Sequence, residues 1–166
     1  MAKFAFEGTE QYIRMLQKVQ QASRGTIKRA VYKGAGTFSD AVRARLEATP
    51  SVPDAYGVKA WRMEIPGRLT HSQKQGLLDG LGTARMEDAD GYISTKVGFD
   101  GYNAVKTKKF PKGQPNALIA RALENGSSAM MKQPFIRPVL KEYADKVVQE
   151  MSDVIDEDIE KLTGGK

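Results

Sequence analysis

Residues 83–99 read TARMEDADGYISTKVGF, and their pattern decides the fold class. Ile93, Val97 and Phe99 alternate with Ser94 and Lys96, the period of a strand with one apolar face. Asp88-Ala89-Asp90-Gly91 separates that run from residues 83–87, and a glycine closing a short polar run is what a tight hairpin turn requires. The stretch therefore predicts an antiparallel hairpin in a chain whose other segments read as helix, an α+β architecture. The same four residues also invite comparison with a calcium loop, in which alternating carboxylates and a glycine wrap a hard cation. With Gly91 in the glycine position, the first ligand falls on Met86 and the bidentate acid on Val97, so the run is read as a turn.

Working towards the N-terminus, Leu69, Gln73, Leu77 and Leu81 predict a short helix capped by Thr70 or Ser72 and stopped by Gly80 and Gly82. Residues 51–66 show no clean period and read as a long exposed loop around the single tryptophan, Trp61. Pro50 and Pro53 end the helix before it. That helix is expected from Thr26 to about residue 48, with Ile27, Val31, Phe38, Val42 and Leu46 on one stripe. Gly34 and Gly36 sit in its middle, each costing up to ~1 kcal/mol relative to alanine, which predicts either close packing against a neighbour or a kink. Upstream, Tyr12, Ile13, Leu16 and Val19 follow a cap at Thr9, with a break at residues 20–25, and Lys3–Glu7 alternates as a short strand would.

Towards the C-terminus, a helix is expected from Asn116 to Glu124, presenting Leu118, Ile119, Ala122 and Leu123 and stopped by Asn125-Gly126. Pro138 suits the start of the last helix, where a missing N–H has no intrahelical partner to lose. Leu140, Tyr143, Val147, Met151, Val154 or Ile155, Ile159 and Leu162 form its apolar stripe, and Asp145, Glu150, Asp153, Asp156, Glu157, Asp158 and Glu160 crowd the other faces. The expected organisation is one domain over residues 1–162, with a small antiparallel sheet packed against one long central helix and a protruding C-terminal helix, 137–162. Residues 163–166 are expected to be a frayed tail.

At 166 residues there is room for one domain with its own core, and 40% hydrophobic with 28% charged residues is ordinary for a globular chain. No apolar run approaches the ~20 residues that span a bilayer. The segment MAKFAFEGTEQ lacks the apolar stretch of a signal peptide, so cytoplasmic synthesis is expected. Cysteine is absent and His71 is the one histidine, which argues against disulfides, thiolate chemistry and zinc. Neither GxxxxGK[ST] nor a GxGxxG turn is present, and Asn125-Gly126-Ser127, without a secretory signal, is a chance sequon. The net charge of +6 is uneven: residues 1–70 hold 12 basic and 6 acidic side chains, residues 127–166 hold 6 and 8. Such a distribution speaks to association rather than to fold.

The stretch Gly98–Pro138, GFDGYNAVKTKKFPKGQPNALIARALENGSSAMMKQPFIRP, is the most individual part of the chain. A basic, proline-flanked loop (Lys106 to Gly113) precedes a short Ala/Glu/Asn/Gly-containing segment (Pro115 to Gly126), and Pro134-Phe135-Ile136-Arg137-Pro138 leads into the final helix. This ordered set resembles the tail-completion, or neck, family of tailed bacteriophages, similar to the minor tail protein Z-like family. Weaker likeness extends upstream through Gly67-Arg68-Leu69 and the strand from Gly91 to Gly101. Where family members often end the short segment on an aromatic and a Glu-Gly-Thr-like turn, this chain has Glu124-Asn125-Gly126-Ser127-Ser128, and the resemblance carries no side-chain role to Glu124. It implies a non-enzymatic, structural protein of the virion, assembled in the host cytoplasm. Such a protein completes the head-proximal end of the tail tube and joins it to the head connector as a ring, six copies being the expected number. Tail completion and tail termination are both open, and the partners implied are tube or terminator protein, connector protein, and DNA by proximity alone.

The candidate interface residues follow from that picture and from residue chemistry. Lys106, Lys108, Lys109 and Lys112, interleaved with Phe110, can neutralise DNA phosphates with counterion release or meet an acidic protein surface, and protein is favoured. Pro111, Gly113 and Pro115 restrict the loop and lower the entropy lost on docking. Met130 and Met131 suit either a subunit contact or local core. Phe135 and Arg137 are expected to anchor the last helix or pair across subunits, and Met151, Ile155 and Ile159 to be covered by a neighbouring copy. No catalytic, cofactor-binding or metal-binding residues are proposed. A basic DNA-binding module is the alternative from another class.

Overall fold

The computed structural model describes residues 9–56, 67–89 and 91–163, and side chains within 23–56, 67–89 and 91–161. The sequence-predicted strand at Lys3–Glu7 and the Trp61 part of the loop lie outside the described residues. Among the described residues the main elements are, in order, α1 Thr9–Ala48, α2 His71–Gly80, β1 Leu81–Thr83, β2 Glu87–Ala89, β3 Tyr92–Ser94, β4 Val97–Phe99, α3 Asn116–Asn125 and α4 Ile136–Thr163. The fold is α+β, with a small antiparallel strand set beside a long first helix and a long last helix.

The expected break at residues 20–25 is absent, and α1 runs for 40 residues without interruption. Glycine is the only breaker in that segment, and at ~1 kcal/mol it weakens a helix without stopping it. The helix ends where Pro50 is near and where the Lys74 ammonium donates to the Glu47 and Thr49 carbonyls, at 2.7 and 2.9 Å. A cation at that end also complements the helix dipole. Val52 then lies in a parallel bridge with Thr70, fastening the exit of α1 to the start of α2.

Thr70 caps α2 in a complete capping box: its hydroxyl accepts from the Gln73 backbone N–H, and the Gln73 side chain accepts from the Thr70 N–H. The hairpin turn stands where expected, with Ala89 paired to Tyr92 across the two positions 90–91 and Gly91 at φ 80°. The single hairpin expected from 83–87 and 92–99 is, however, divided. β1 pairs with β4 from Leu81↔Phe99 to Thr83↔Val97, whereas β2 pairs with β3 from Glu87↔Ser94 to Ala89↔Tyr92. Residues 84–86 therefore face only 95–96, and the extra residue bulges and offsets the register by one. Ala84 spans the gap by donating its N–H to the Lys96 carbonyl and accepting from the Thr95 hydroxyl.

The core collects Ala41, Val42 and Leu46 of α1, Leu69, Leu77 of α2, Leu81 of β1, Ile119, Ala120 and Leu123 of α3, with Met130, Phe135 and Val139. Phe135 is 0% exposed and meets Phe99 edge to face at 5.8 Å between ring centroids. Burying such a ring stabilises the fold by about 2–3 kcal/mol. Beyond this core α4 runs antiparallel along α1, shown by Arg45 near Glu142, Thr37 bonded to Glu150 and Thr26 bonded to Asp158. At Gly34 the two helices touch closely: an added Cβ would stand 2.8 Å from Met151 Cγ and Sδ. Close packing is thus the reason for this glycine, while Gly36 has nothing within 4 Å of the same position.

The last helix begins at Ile136, earlier than the expected 137 or 138, because its first turn is held from outside. The Glu124 carboxylate accepts from the N–H groups of Phe135, Ile136 and Arg137 at 2.8, 2.9 and 3.0 Å. Pro138, next in line, has no N–H to satisfy.

Candidate interaction surface

The lysine loop leaves β4 at Asp100 and returns at Pro115, and its base is closed like a short ladder. Tyr102 and Pro115 form an antiparallel bridge, Asn103 N–H donates to the Gln114 carbonyl at 2.9 Å, and Asn116 N–H donates to the Gly101 carbonyl at 3.0 Å. Gly101 takes φ 73° and Gly113 takes φ 119°, conformations open to glycine at little cost. A Cβ on Gly113 would lie 2.1 Å from the Asn103 carbonyl oxygen. At the tip, Thr107 and Phe110 exchange backbone hydrogen bonds of 3.1 and 3.0 Å, and the Thr107 hydroxyl also accepts from the Phe110 N–H. Lys108 and Lys109 are the two central residues of that turn.

Beneath the loop lies a polar platform on α2 and the start of α3. Gln73 donates to the Gln114 side chain at 2.8 Å, and Asn116 Nδ2 donates to the Asp100 carbonyl at 2.7 Å. Gly76 and Gly80 make room for it: a Cβ at Gly76 would meet Asn103 Cβ at 2.5 Å, and one at Gly80 the Asp100 carbonyl oxygen at 2.2 Å. Asn103 and Asn116 are both buried, and Asn103 Nδ2 and Asn116 Oδ1 have no hydrogen-bond partner among the described residues. The sequence marks Gln73, Gly80 and Asn116 only as parts or limits of helices, and Gly76, Asn103 and Gln114 carry no sequence reading. The glycines at 76, 80, 101 and 113 were the available signal, since their spacing around one loop marks close backbone approach.

On this platform Lys106, Lys108, Lys109 and Lys112 are all exposed, and none makes an ion pair among the described residues. Phe110 is half-buried, with the Lys109 ammonium 5.7 Å from its ring centroid. The other sequence-predicted interface residues do not join the loop in one site. Met130 is buried in the core and Met131 is exposed, which divides the adjacent pair. Phe135 is wholly internal, so its side chain cannot meet another subunit on this surface. Arg137 is exposed and turns back on its own chain, donating to Asn125 Oδ1 at 2.7 Å with Glu124 Oε1 at 3.8 Å. Met151 is half-buried against α1 at Gly34, Ile155 is half-buried, and Ile159 is half exposed.

Glu124 is the functional surprise of this region, because it fastens α3 to α4. Burial works against its charge, but three backbone N–H donors and the adjacent Arg137 guanidinium outweigh burial and hold the carboxyl below its ordinary value. Its charge also faces the positive end of the α4 dipole.

One Ser/His pair stands close enough for a hydrogen bond. Ser51 Oγ and His71 Nδ1 are 3.0 Å apart on an exposed rim, and the nearby Asp54 carboxylate is engaged by the Ser72 N–H and hydroxyl. No orienting partner on the other imidazole nitrogen completes a nucleophilic triad among the described residues, so the group reads as a cap on the first turn of α2. Among the described residues no three His, Cys, Asp or Glu side chains are placed to hold a metal ion, and no helix is long and apolar enough to cross a membrane. The arrangement can present rigid positive charge and apolar contact to a partner. No family model, no curated protein and no solved structure matches the chain.

Proposed function

We propose that this chain is a structural protein of a bacteriophage tail, completing the head-proximal end of the tube and taking part in its joining to the head connector. The reading is carried by the stretch Gly98–Pro138, whose order of basic loop, short helix and PFIRP lead-in resembles the tail-completion family. The geometry of that stretch supports an assembly role, since four lysines with no ion pair among the described residues stand in or beside a turn closed by Thr107–Phe110 hydrogen bonds. A preformed loop loses less entropy when it docks, which suits a component that must attach once and stay. The same positions are non-catalytic in this reading, and the protein acts by binding.

Deleting the gene from a phage that carries it should leave filled heads and full-length tails unjoined, with joining restored when purified protein is added. Gold-labelled protein should mark the head-proximal tip of the tail in electron micrographs. Tails of uncontrolled length would favour the tail-terminator alternative instead. Normal virions without the gene would reject both. A DNA-binding module, the second class of reading, rests on the same four lysines and predicts retention of duplex DNA that falls steeply with salt.

A further inference from the structure

We infer that the lysine loop of one copy docks on the outer face of α4 of a second copy, a head-to-tail contact that rests on the assembly reading above. The loop side joins charge to apolar surface. Beside the four lysines, Tyr102 is 67% exposed and Leu118 is 44% exposed, and both flank Pro115, through the Tyr102–Pro115 bridge and the Leu118 N–H bond to the Pro115 carbonyl.

The α4 side has the complementary chemistry. Its face towards α1 carries Val139, Val147, Met151 and Asp158, yet a second apolar row, Val148 and Ile159, 11 residues apart and so nearly in line, is exposed by 66 and 50%. At 3.6 residues per turn an acidic row of Asp145, Asp153 and Asp156 runs next to this second row. These three acids are exposed and make no ion pair among the described residues. A helix face that is apolar on one side and acidic on the other matches a loop with tyrosine and leucine beside its lysines.

Within one copy the distal part of that face, Asp153, Asp156 and Ile159, lies away from the loop. Asp158 is bonded to Thr26 and lies against Arg29, so the distal acids sit beside the early part of α1. The loop is fixed to α2, which holds α1 at Arg43 through the Leu78 carbonyl and at its C-terminal end through Lys74. From Arg29 to Arg43 is 43 − 29 = 14 positions, about 21 Å of helix. Because the two patches differ and lie apart, their contact is heterologous, the kind that propagates into a ring when its rotation closes.

The test is sedimentation velocity over a concentration series at low and high salt, with charge-reversal variants whose exposed positions leave the core untouched. The wild-type chain should self-associate, more strongly at low salt. Lys108→Glu/Lys109→Glu and Asp153→Lys/Asp156→Lys should each weaken association by at least about tenfold, through like charges at the contact. The chain carrying all four substitutions, and an equimolar mixture of the two double variants, should regain it. A monomer at every concentration overturns the inference, as does failure of the four-substitution chain to recover. If duplex DNA binds the wild type and only the loop reversal abolishes that binding, while the helix reversal leaves self-association unchanged, the loop is a DNA contact and the inference is wrong. Wild-type protein that marks tail tips but stays monomeric would reject this contact and leave the tail reading standing. Self-association without tail binding would do the reverse.

Discussion

The Glu124 carboxylate accepts from three consecutive backbone N–H groups, and the residue after them is a proline with none to offer. One side chain thereby satisfies the exposed donors of the first turn of α4, a task usually spread over a cap and solvent. Charge-assisted bonds to buried donors are the stronger kind, so Glu124→Gln should destabilise the fold by about 2–3 kcal/mol in urea unfolding. The pH dependence has a definite sign. A carboxyl whose folded pKa lies below its unfolded value of about 4.3 contributes stability that is fully present above that value and lost as pH falls through the folded one. The wild-type urea midpoint should therefore fall across this acid range, and Glu124→Gln should flatten that part of the profile. A variant with an unchanged acid slope would show that the clamp contributes little. Sequence did not reveal this role because donor and acceptor are 11 to 13 residues apart across a loop. The Thr70–Gln73 box, closed within one turn, left its signature in the order of residues and was half legible, Thr70 being one of two expected caps.

Among the elements, α1 shows what periodicity conveys and what it leaves out. Of its expected stripe Val42 and Leu46 are buried, Val31 and Phe38 are half-buried and Ile27 is 41% exposed, because the apolar core meets only the C-terminal part of the helix, and its length was divided in two by a weak local breaker. Its two mid-helix glycines look alike in sequence and differ in space, since only the partner helix distinguishes them. Gly36→Ala meets nothing within 4 Å and should raise stability by about 0.5–1 kcal/mol, the helix-propensity gain. Gly34→Leu must displace Met151 and Val147, the latter 3.1 Å from the added Cβ, and should lower stability by about 1–3 kcal/mol. Met151→Ala in the same chain should recover part of that loss by opening the notch, a coupling that a double-mutant cycle measures. If Gly34→Leu were neutral, the close approach of α1 and α4 would be wrong. The hairpin was legible for a similar reason and to a similar limit: Gly91 and the alternation after it are local, whereas the one-residue offset depends on which residues of the opposite strand are met.

At the scale of the molecule, one apolar core holds α1, α2, α3, β1, β4 and the start of α4, and a second, more polar stretch of α1–α4 contact runs on from it. The polar stretch is built on Asp158 with Arg29 and Thr26, and on Glu150 with Thr37 and Lys33. Both carboxyls are held below their ordinary values, Asp158 mainly by Arg29 and then Thr26, Glu150 mainly by the Thr37 hydroxyl, in each case against burial. By the same sign rule their contribution is present at neutral pH and lost in acid as each folded pKa is passed. Amide exchange in the outer halves of α1 and α4 should therefore accelerate in acid before it does around Leu46, Leu77 and Leu123. The sequence showed an apolar stripe on α4 and acids around it, but not which acids turn inward, because Asp158 is drawn to α1 by groups 129 and 132 positions away. A chain ending after Asp145 isolates the two regions. It keeps Phe135, Val139 and Tyr143, which pack in or against the core, and removes Val147, Glu150, Met151 and Asp158, which cover α1 from Thr37 outward. Methyl NMR signals from Leu46, Leu77 and Leu123 should keep their dispersion, while amides of α1 before Thr37 lose protection and self-association through the α4 outer face disappears. Collapse of the methyl dispersion would mean instead that the outer α1–α4 contact and the core fold as one cooperative unit.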